Sequence, residues 1–195
     1  MKWIAALSLA LMGLQPAHAQ EPPVPTTQAA YSPPVPPPCR RVGEVPALTI
    51  APEALVRMAE IGLDRAAIFA RMQETSIPET MGCWAMPVGN FDSQLVSVGM
   101  AQWNYGTGSL QPVLKEWRDS FGSRRKSKRE LDRLAPVYSK LLFSKDCLAV
   151  PVKERCREGI LGAHGPDGKL NPVIMAELTA LFESDAMLQV QLDHY

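Results

Sequence analysis

Metal-binding patterns are missing from this sequence of 195 residues. It has no CxxC pair, and beyond residue 19 its histidines are His164 and His194 alone. Zinc sites in proteins draw on cysteine and histidine at short, regular spacings. We therefore expect neither a zinc site nor any other metal or cofactor.

An excess of either charge sign is also missing, because 20 Lys and Arg residues stand against 20 Asp and Glu residues. Domains that bind nucleic acid usually carry a basic patch that neutralises phosphates. The balance gives no reason to expect a nucleic-acid partner. One basic run, residues 124–129, is typical of a solvated loop, and contact with an anionic polymer or partner is the alternative.

No apolar run is long enough to cross a bilayer, which takes about 20 residues. Residues 4–14 form an apolar stretch behind Lys2, and Ala17 and Ala19 place small residues before a cleavage point. This pattern predicts a secretory signal peptide over residues 1–19, with an uncleaved anchor as the alternative. We expect an exported protein, periplasmic or secreted, that has no membrane contact after cleavage.

Four cysteines follow the predicted cleavage point: Cys39, Cys83, Cys147 and Cys156. An even count in an exported chain favours two disulfides, and four cysteines allow three pairings. The sequence does not choose among them. A Cys147–Cys156 bond would close a short loop, and Cys39–Cys83 would then tie the N-terminal segment to the middle of the chain.

The rest of the chain divides into a leader and one domain. Residues 20–46 are rich in proline, which fixes φ and removes amide donors, so they predict an extended leader that could also dock a protein partner. Residues 47–195 are enough for a single core. Apolar spacing and capping residues predict a mainly α domain with one small, irregular β-like insertion. The predicted helices cover residues 51–61, 65–73, a start at Ser76, 110–121, 128–143 with a break at Pro136, 152–161, and a last helix from Pro172 that continues into residues 186–195.

The insertion lies in residues 79–112, where the only charged side chains are Glu79 and Asp92. Glycosidic bonds are cut by pairs of carboxyl groups, one giving a proton to the leaving oxygen and the other activating water or stabilising positive charge. Glu79 has apolar sequence neighbours, and burial among them would favour its protonated form. Asp92 follows turn residues, where it would stay ionised.

Aromatic and amide side chains in the same stretch are suited to binding a sugar chain. We predict that Trp84, Trp103 and Tyr105 stack on sugar rings, and that Gln102 and Asn104 bind hydroxyl or N-acetyl groups. Ser97 belongs to the same predicted groove. The structural alternative is that Glu79 is a helix-start acid, Asp92 a turn residue and the tryptophans core.

The order of these residues resembles the lysozyme-like superfamily, which includes goose-type lysozymes, lytic transglycosylases and chitosanases. Residues 89–114 are similar to the run GNFDGQGLSxGxLQWNxGxGSLQPLL of bacterial and phage lysozyme-like proteins, and Gly99-Met100-Ala101-Gln102 resembles a groove-lining segment of the family. Ser93-Gln94-Leu95 replaces the glycines expected after Asp92. The spacing from Glu79 to Asp92 is also shorter than in chitosanases.

The resemblance implies a lysozyme-like domain that cleaves β-1,4 links in a glycan of N-acetylated sugars, with peptidoglycan or a related polysaccharide as the partner. In the family the catalytic Glu ends a helix, and here that position falls on Glu79. With Asp92 as base, the reaction is an inverting hydrolysis. With Glu79 alone, it is a transglycosylation that leaves an anhydro product.

Three alternatives stay open beside this hypothesis. Glu74 is a rival acid, one helix end earlier in the chain than Glu79. Cys83-Trp84 faintly resembles the Cys-Trp of papain-like enzymes, with His164 as base. The third is a glycan-binding or assembly protein without catalysis, which the altered residues after Asp92 favour.

Overall fold

Eight helices make up most of the chain that the computed structural model describes, which is residues 38–43, 48–90, 93–165 and 168–195. The predicted signal peptide, most of the leader and Asp92 lie outside these residues. The mainly α class is confirmed. The helices are α1 (Pro52–Glu60), α2 (Arg65–Thr80), α3 (Leu110–Ser120), α4 (Arg124–Leu134), α5 (Ser139–Leu142), α6 (Glu154–Leu161), α7 (Pro172–Phe182) and α8 (Asp185–Asp193).

The predicted β-like insertion forms one short hairpin. Strands β1 (Ser97–Val98) and β2 (Trp103–Asn104) pair antiparallel, with Ser97 opposite Asn104 and Val98 opposite Trp103. The turn requires glycine at position 99, where φ is +90° and an added Cβ would lie 2.6 Å from the Trp103 ring. The absence of a side chain at Gly99 lets the Trp103 ring pack directly against the turn.

Helix α2 is longer than predicted. Asp64 caps its start, accepting a hydrogen bond of 2.8 Å from the Ala67 amide, but the helix does not end at the predicted residue 73. The predicted new start at Ser76 is wrong, because that side chain is fully buried and its hydroxyl donates to the Gln73 carbonyl inside the helix. Pro78 is tolerated in the last turn, where its missing amide removes a single helical hydrogen bond.

The basic run is helical as well. Residues 124–129, expected as a solvated loop, form the first turns of α4, and the cap is Ser123, whose side chain accepts from the Lys126 amide. The predicted break at Pro136 is confirmed, since α4 ends at Leu134 and the short α5 follows. The last predicted helix forms two separate helices, because α7 ends at Phe182 before a turn leads into α8.

Two buried clusters hold the domain together. The larger one gathers apolar side chains from α3 to α8 around Trp117 and Phe182. The smaller one joins α2 to α8 and includes Met72 and Trp84, both fully buried. Trp103 packs against both clusters, so the hairpin lies where they meet.

Both predicted disulfides are present, and the structure selects their pairing. Cys39 bonds Cys83 with an S–S distance of 2.00 Å, and Cys147 bonds Cys156 at 2.05 Å. Within the described ranges, no helix has the length and apolar character needed to cross a membrane.

Candidate functional site

Glu79 lies on the last turn of α2 with its side chain exposed. It makes no hydrogen bond or ion pair with any described residue. The expected burial among apolar neighbours is wrong, because Ile77 is 55% exposed, Met81 is 37% exposed and Pro78 is exposed too. Because α2 is continuous, Glu79 lies near the C-terminal end of the helix dipole, where a negative charge lowers helix stability. The Glu79 carboxylate therefore does not stabilise its own helix.

The helix end beside Glu79 is held in place by several bonds. The Thr80 hydroxyl, which is buried, lies 3.0 Å from the Ser76 carbonyl and 2.7 Å from the Cys83 carbonyl. Cys83 is tied to Cys39, and backbone hydrogen bonds from the chain around Arg41 flank this disulfide. The backbone that carries Glu79 is thus anchored on its C-terminal side.

A hydroxyl pair lies on the same side of α2 as Glu79. Thr75 precedes Glu79 by four residues, and residues at this spacing are neighbours on a helix surface. The Thr75 hydroxyl is 3.0 Å from the Tyr195 hydroxyl, which reaches it from the end of α8. The exposed Tyr195 and Glu79 are therefore presented on one face of α2.

The predicted sugar-binding amide of Gln102 contacts the hairpin itself. Its side-chain nitrogen donates to the Met86 carbonyl at 3.1 Å and to the Gly99 carbonyl at 3.4 Å. Gln102 adopts a φ of +49° in the turn between β1 and β2. The half-buried amide braces the turn and still has its carbonyl oxygen as an acceptor.

The other predicted groove residues of the hairpin are half-buried or buried. Trp103 is half-buried, and the Asn104 side-chain oxygen accepts from the Thr107 amide at 2.8 Å. Ser97 is 4% exposed, and its backbone pairs with Val88 on one side and Asn104 on the other. Of these three side chains, Trp103 is the aromatic one, and it stays partly accessible.

Tyr105 and Trp84 do not stack on a ligand, contrary to the sequence prediction. Both are fully buried, and the Tyr105 hydroxyl donates to the Leu142 carbonyl at 2.9 Å. Burial raises the pKa of the Tyr105 phenol well above its ordinary value. Tyr105 packs in the larger core cluster and Trp84 in the smaller one.

A histidine–carboxylate contact next to Trp103 was not predicted from the sequence. His194 Nε2 lies 2.8 Å from Glu116 Oε2, without the alignment of a hydrogen bond, and the imidazole meets the Trp103 ring edge-on at 6.5 Å. Glu116 is on α3 and His194 follows α8. No spacing in the sequence indicates this contact, because it forms only when α3 packs on α8.

The rival acid and the rival nucleophile are both engaged elsewhere. Glu74 forms an exposed ion pair of 2.7 Å with Arg71. Cys83 is in a disulfide, so it has no thiol to act as a nucleophile. The two ring nitrogens of His164 lie 2.7 Å and 3.0 Å from the carbonyls of Ile160 and Leu95. The papain-like arrangement is therefore contradicted.

The described residues contain no group of three or more side chains able to hold a metal ion. The fold and the site together define a mainly helical, disulfide-bonded domain with an exposed carboxylate at a helix end. No protein-family model, curated protein or solved structure matches the chain.

Proposed function

We propose that this protein is an exported glycosidase that cleaves β-1,4 links of peptidoglycan, with Glu79 as the general acid. The observation that carries the proposal is the position of Glu79: exposed, unpaired among the described residues, and on the last turn of an anchored helix. A lysozyme-like glycosidase places its acid at such a helix end. The two disulfides support an oxidising location, the periplasm or the exterior, where peptidoglycan is the abundant glycan.

The residues after Glu79 support the same proposal. The chain leaves α2 through Met81 in a left-handed turn, passes the Cys83 disulfide and enters the hairpin that carries Gln102 and Trp103. A helix-borne acid followed by a hairpin is the order that the sequence resemblance implies. The partly accessible Trp103 ring is the aromatic surface we assign to the sugar chain.

The chemistry needs one proton donor and a route for water or for an internal hydroxyl. Glu79 would give its proton to the leaving glycosidic oxygen and then take one back from the attacking group. If Asp92 acts as a base, water attacks and the product has a reducing end. If Glu79 acts alone, the sugar's own hydroxyl attacks and the product is an anhydro sugar.

The decisive experiment compares wild type with Glu79→Gln on purified peptidoglycan, using mass spectrometry of the soluble products. Gln keeps the shape of Glu79 and removes the proton, so we expect release to fall by about 10²- to 10⁴-fold, the usual contribution of a general acid. Reducing ends would identify a hydrolase, and anhydro ends a transglycosylase.

Glu74→Gln is the matched control, because Glu74 is also exposed on α2 and its ion pair with Arg71 contributes little to stability. We expect this variant to release muropeptides as wild type does. Release that survives in Glu79→Gln, or that is lost in Glu74→Gln instead, would contradict the assignment of Glu79.

A glycan-binding or assembly protein without catalysis is the second candidate. It is favoured by the burial of Tyr105 and Trp84 and by the internal hydrogen bonds of Gln102, which leave fewer side chains to position a substrate. A protein that sediments with peptidoglycan but releases no product, in wild type and variants alike, would support this candidate over the glycosidase. A chitosanase-like hydrolase would instead release products from chitosan.

A further inference from the structure

A crevice between α3, α4 and α5 is lined by side chains that have no part in the proposed glycosidase reaction. It encloses a cavity of about 220 Å³. Its apolar lining comes from Trp117, Leu131 and Phe143. Its charged lining comes from four cations and one acid: Arg118, Arg124, Lys128, Lys140 and Asp132. A second cavity, of about 400 Å³, shares Arg118, Arg124 and Ser127 with it. The crevice therefore combines an apolar wall with a concentration of positive charge.

Positive charge is concentrated on α4, including its N-terminal turn, where the helix dipole disfavours cations. Helix α4 has six basic residues and two acidic ones, although the whole chain is balanced. Arg124, Arg125 and Lys126 occupy its first turn, which contains no acid. Cations near a helix N-terminus are unfavourable, and an anion bound beside this turn would offset that cost.

Two of the four lining cations lack a carboxylate partner. Arg118 is held by Asp119 at 2.8 Å, and Lys128 is held by Asp132 at 2.7 Å. Arg124 and Lys140 make no ion pair with any residue that the structure describes. These two side chains are available to bind an anion at the mouth of the cavity.

A buried donor without a partner points to the same place. Trp117 is fully buried and lines the cavity, and its indole Nε1–H has no hydrogen-bond acceptor among the described residues. Buried polar groups in folded proteins are nearly always hydrogen-bonded, so an unpaired donor beside a cavity calls for an explanation. The indole of Trp117 therefore belongs to an incompletely satisfied part of the core that borders the cavity.

We propose that this crevice binds the carboxylate of a small apolar anion. The apolar body would occupy the cavity against Trp117 and Phe143, and the carboxylate would contact Arg124 and Lys140. A volume of 220 Å³ is smaller than the roughly 300–1,000 Å³ of sites for drug-sized ligands, so the ligand is the size of one residue. A free apolar acid and the C-terminal residue of a peptide share this chemistry. The site does not depend on Glu79.

Calorimetry on the exported protein with N-acetylphenylalanine as the probe tests the ligand class. We expect this acid to bind, and its amide, acetate and inorganic phosphate to bind at least about tenfold more weakly, because each lacks either the charge or the apolar body. Tighter binding of N-acetyl-Ala-Ala-Phe would identify a peptide end, and equal or weaker binding a free acid. Failure of the acid to bind, or equal binding of its amide, acetate or phosphate, would overturn the proposal.

Charge variants test the location of the site. Arg124→Gln and Lys140→Gln should each weaken binding about tenfold, since each removes one charge-assisted hydrogen bond. Arg129→Gln is the matched control, because Arg129 is an exposed cation of α4 that does not line the cavity. An equal loss in Arg129→Gln would overturn the site in favour of general attraction to a basic helix.

The indole proton of Trp117 supplies an independent readout. Its NMR resonance, assigned with Trp117→Phe, should shift when N-acetylphenylalanine binds, because the phenyl ring of the ligand would pack against the indole. An unchanged indole resonance at saturating ligand would overturn the assignment of the cavity beside Trp117 as the binding site.

Discussion

Replacing both Cys39 and Cys83 with alanine opens a covalent loop whose ends are 44 residues apart in sequence. In the chain-entropy model, closing such a loop in the unfolded state is worth about 4 kcal/mol at 25 °C. The Cys147–Cys156 bond spans 9 residues, and the same relation gives about 2.6 kcal/mol. We therefore expect the long loop to contribute more to the free energy of unfolding than the short one.

Guanidinium unfolding followed by circular dichroism measures both losses. The Cys39→Ala/Cys83→Ala variant should lose about 4 kcal/mol, and the Cys147→Ala/Cys156→Ala variant about 2.6 kcal/mol. Without the cross-link the unfolded chain is less compact and exposes more surface. The denaturant slope m, which scales with that surface, should therefore also rise, and more for the longer loop. This slope separates the loss of a cross-link from a loss of packing around the buried sulfurs.

The same two variants connect stability to the proposed activity. The Cys39–Cys83 bond lies four residues beyond Glu79 and holds the end of α2, whereas Cys147–Cys156 lies outside residues 79–112. After correction for the folded fraction, release of muropeptides should fall in the first variant and not in the second. A loss below about 1.5 kcal/mol for the first variant, with m unchanged, would refute the loop-entropy reasoning.

Two further predictions concern buried polar groups. Glu177 accepts hydrogen bonds from the amides of Val137 (2.7 Å) and Tyr138 (2.8 Å). Glu177→Gln should therefore lower the free energy of unfolding in urea by about 2 kcal/mol. The exposed Glu158→Gln is the control and should change it little. Equal losses in the two variants would contradict this prediction. Burial raises the pKa of the Tyr105 phenol, so the stability it contributes is fully present below the unfolded pKa near 10 and is lost as the pH rises above it. The advantage of wild type over Tyr105→Phe should thus shrink by about 1.4 kcal/mol between pH 9 and pH 11, and a constant difference would show that the phenol ionises freely in the folded protein.

Local chemistry was sufficient for several features of the fold. Asp64 begins α2 because its side chain accepts an amide proton three residues on, and Pro136 ends a helix because its ring and missing amide interrupt the ladder. The mainly α class follows from apolar spacing in the same way. The count of four cysteines predicted two disulfides, because that expectation depends on the compartment and not on the fold.

Local sequence signals gave wrong predictions where burial in the tertiary structure outweighed them. Ser76 and Pro78 look like the start of a helix, yet the buried face of α2 continues through Met72, Ser76 and Thr80, and the helix continues with it. Glu79 consequently lies at the C-terminal end of α2, and not in the first turn of a new helix that Ser76 and Pro78 indicated. The burial of this face outweighs the preference of two residues for a helix start.

The composition of the candidate site depended most on long-range packing. An aromatic residue in a turn-rich stretch is equally suited to stacking on a sugar or filling a core, and the pleat and twist of the hairpin turned Tyr105 inward and left Trp103 partly accessible. The contacts of Tyr195 with Thr75 and of His194 with Glu116 join residues more than 70 positions apart. The sequence by itself determined the residue types, caps and cysteine count, which act over a few residues. Only the tertiary structure decided the disulfide pairing, the exposed position of Glu79 and the cationic crevice, because each depends on which helices pack together.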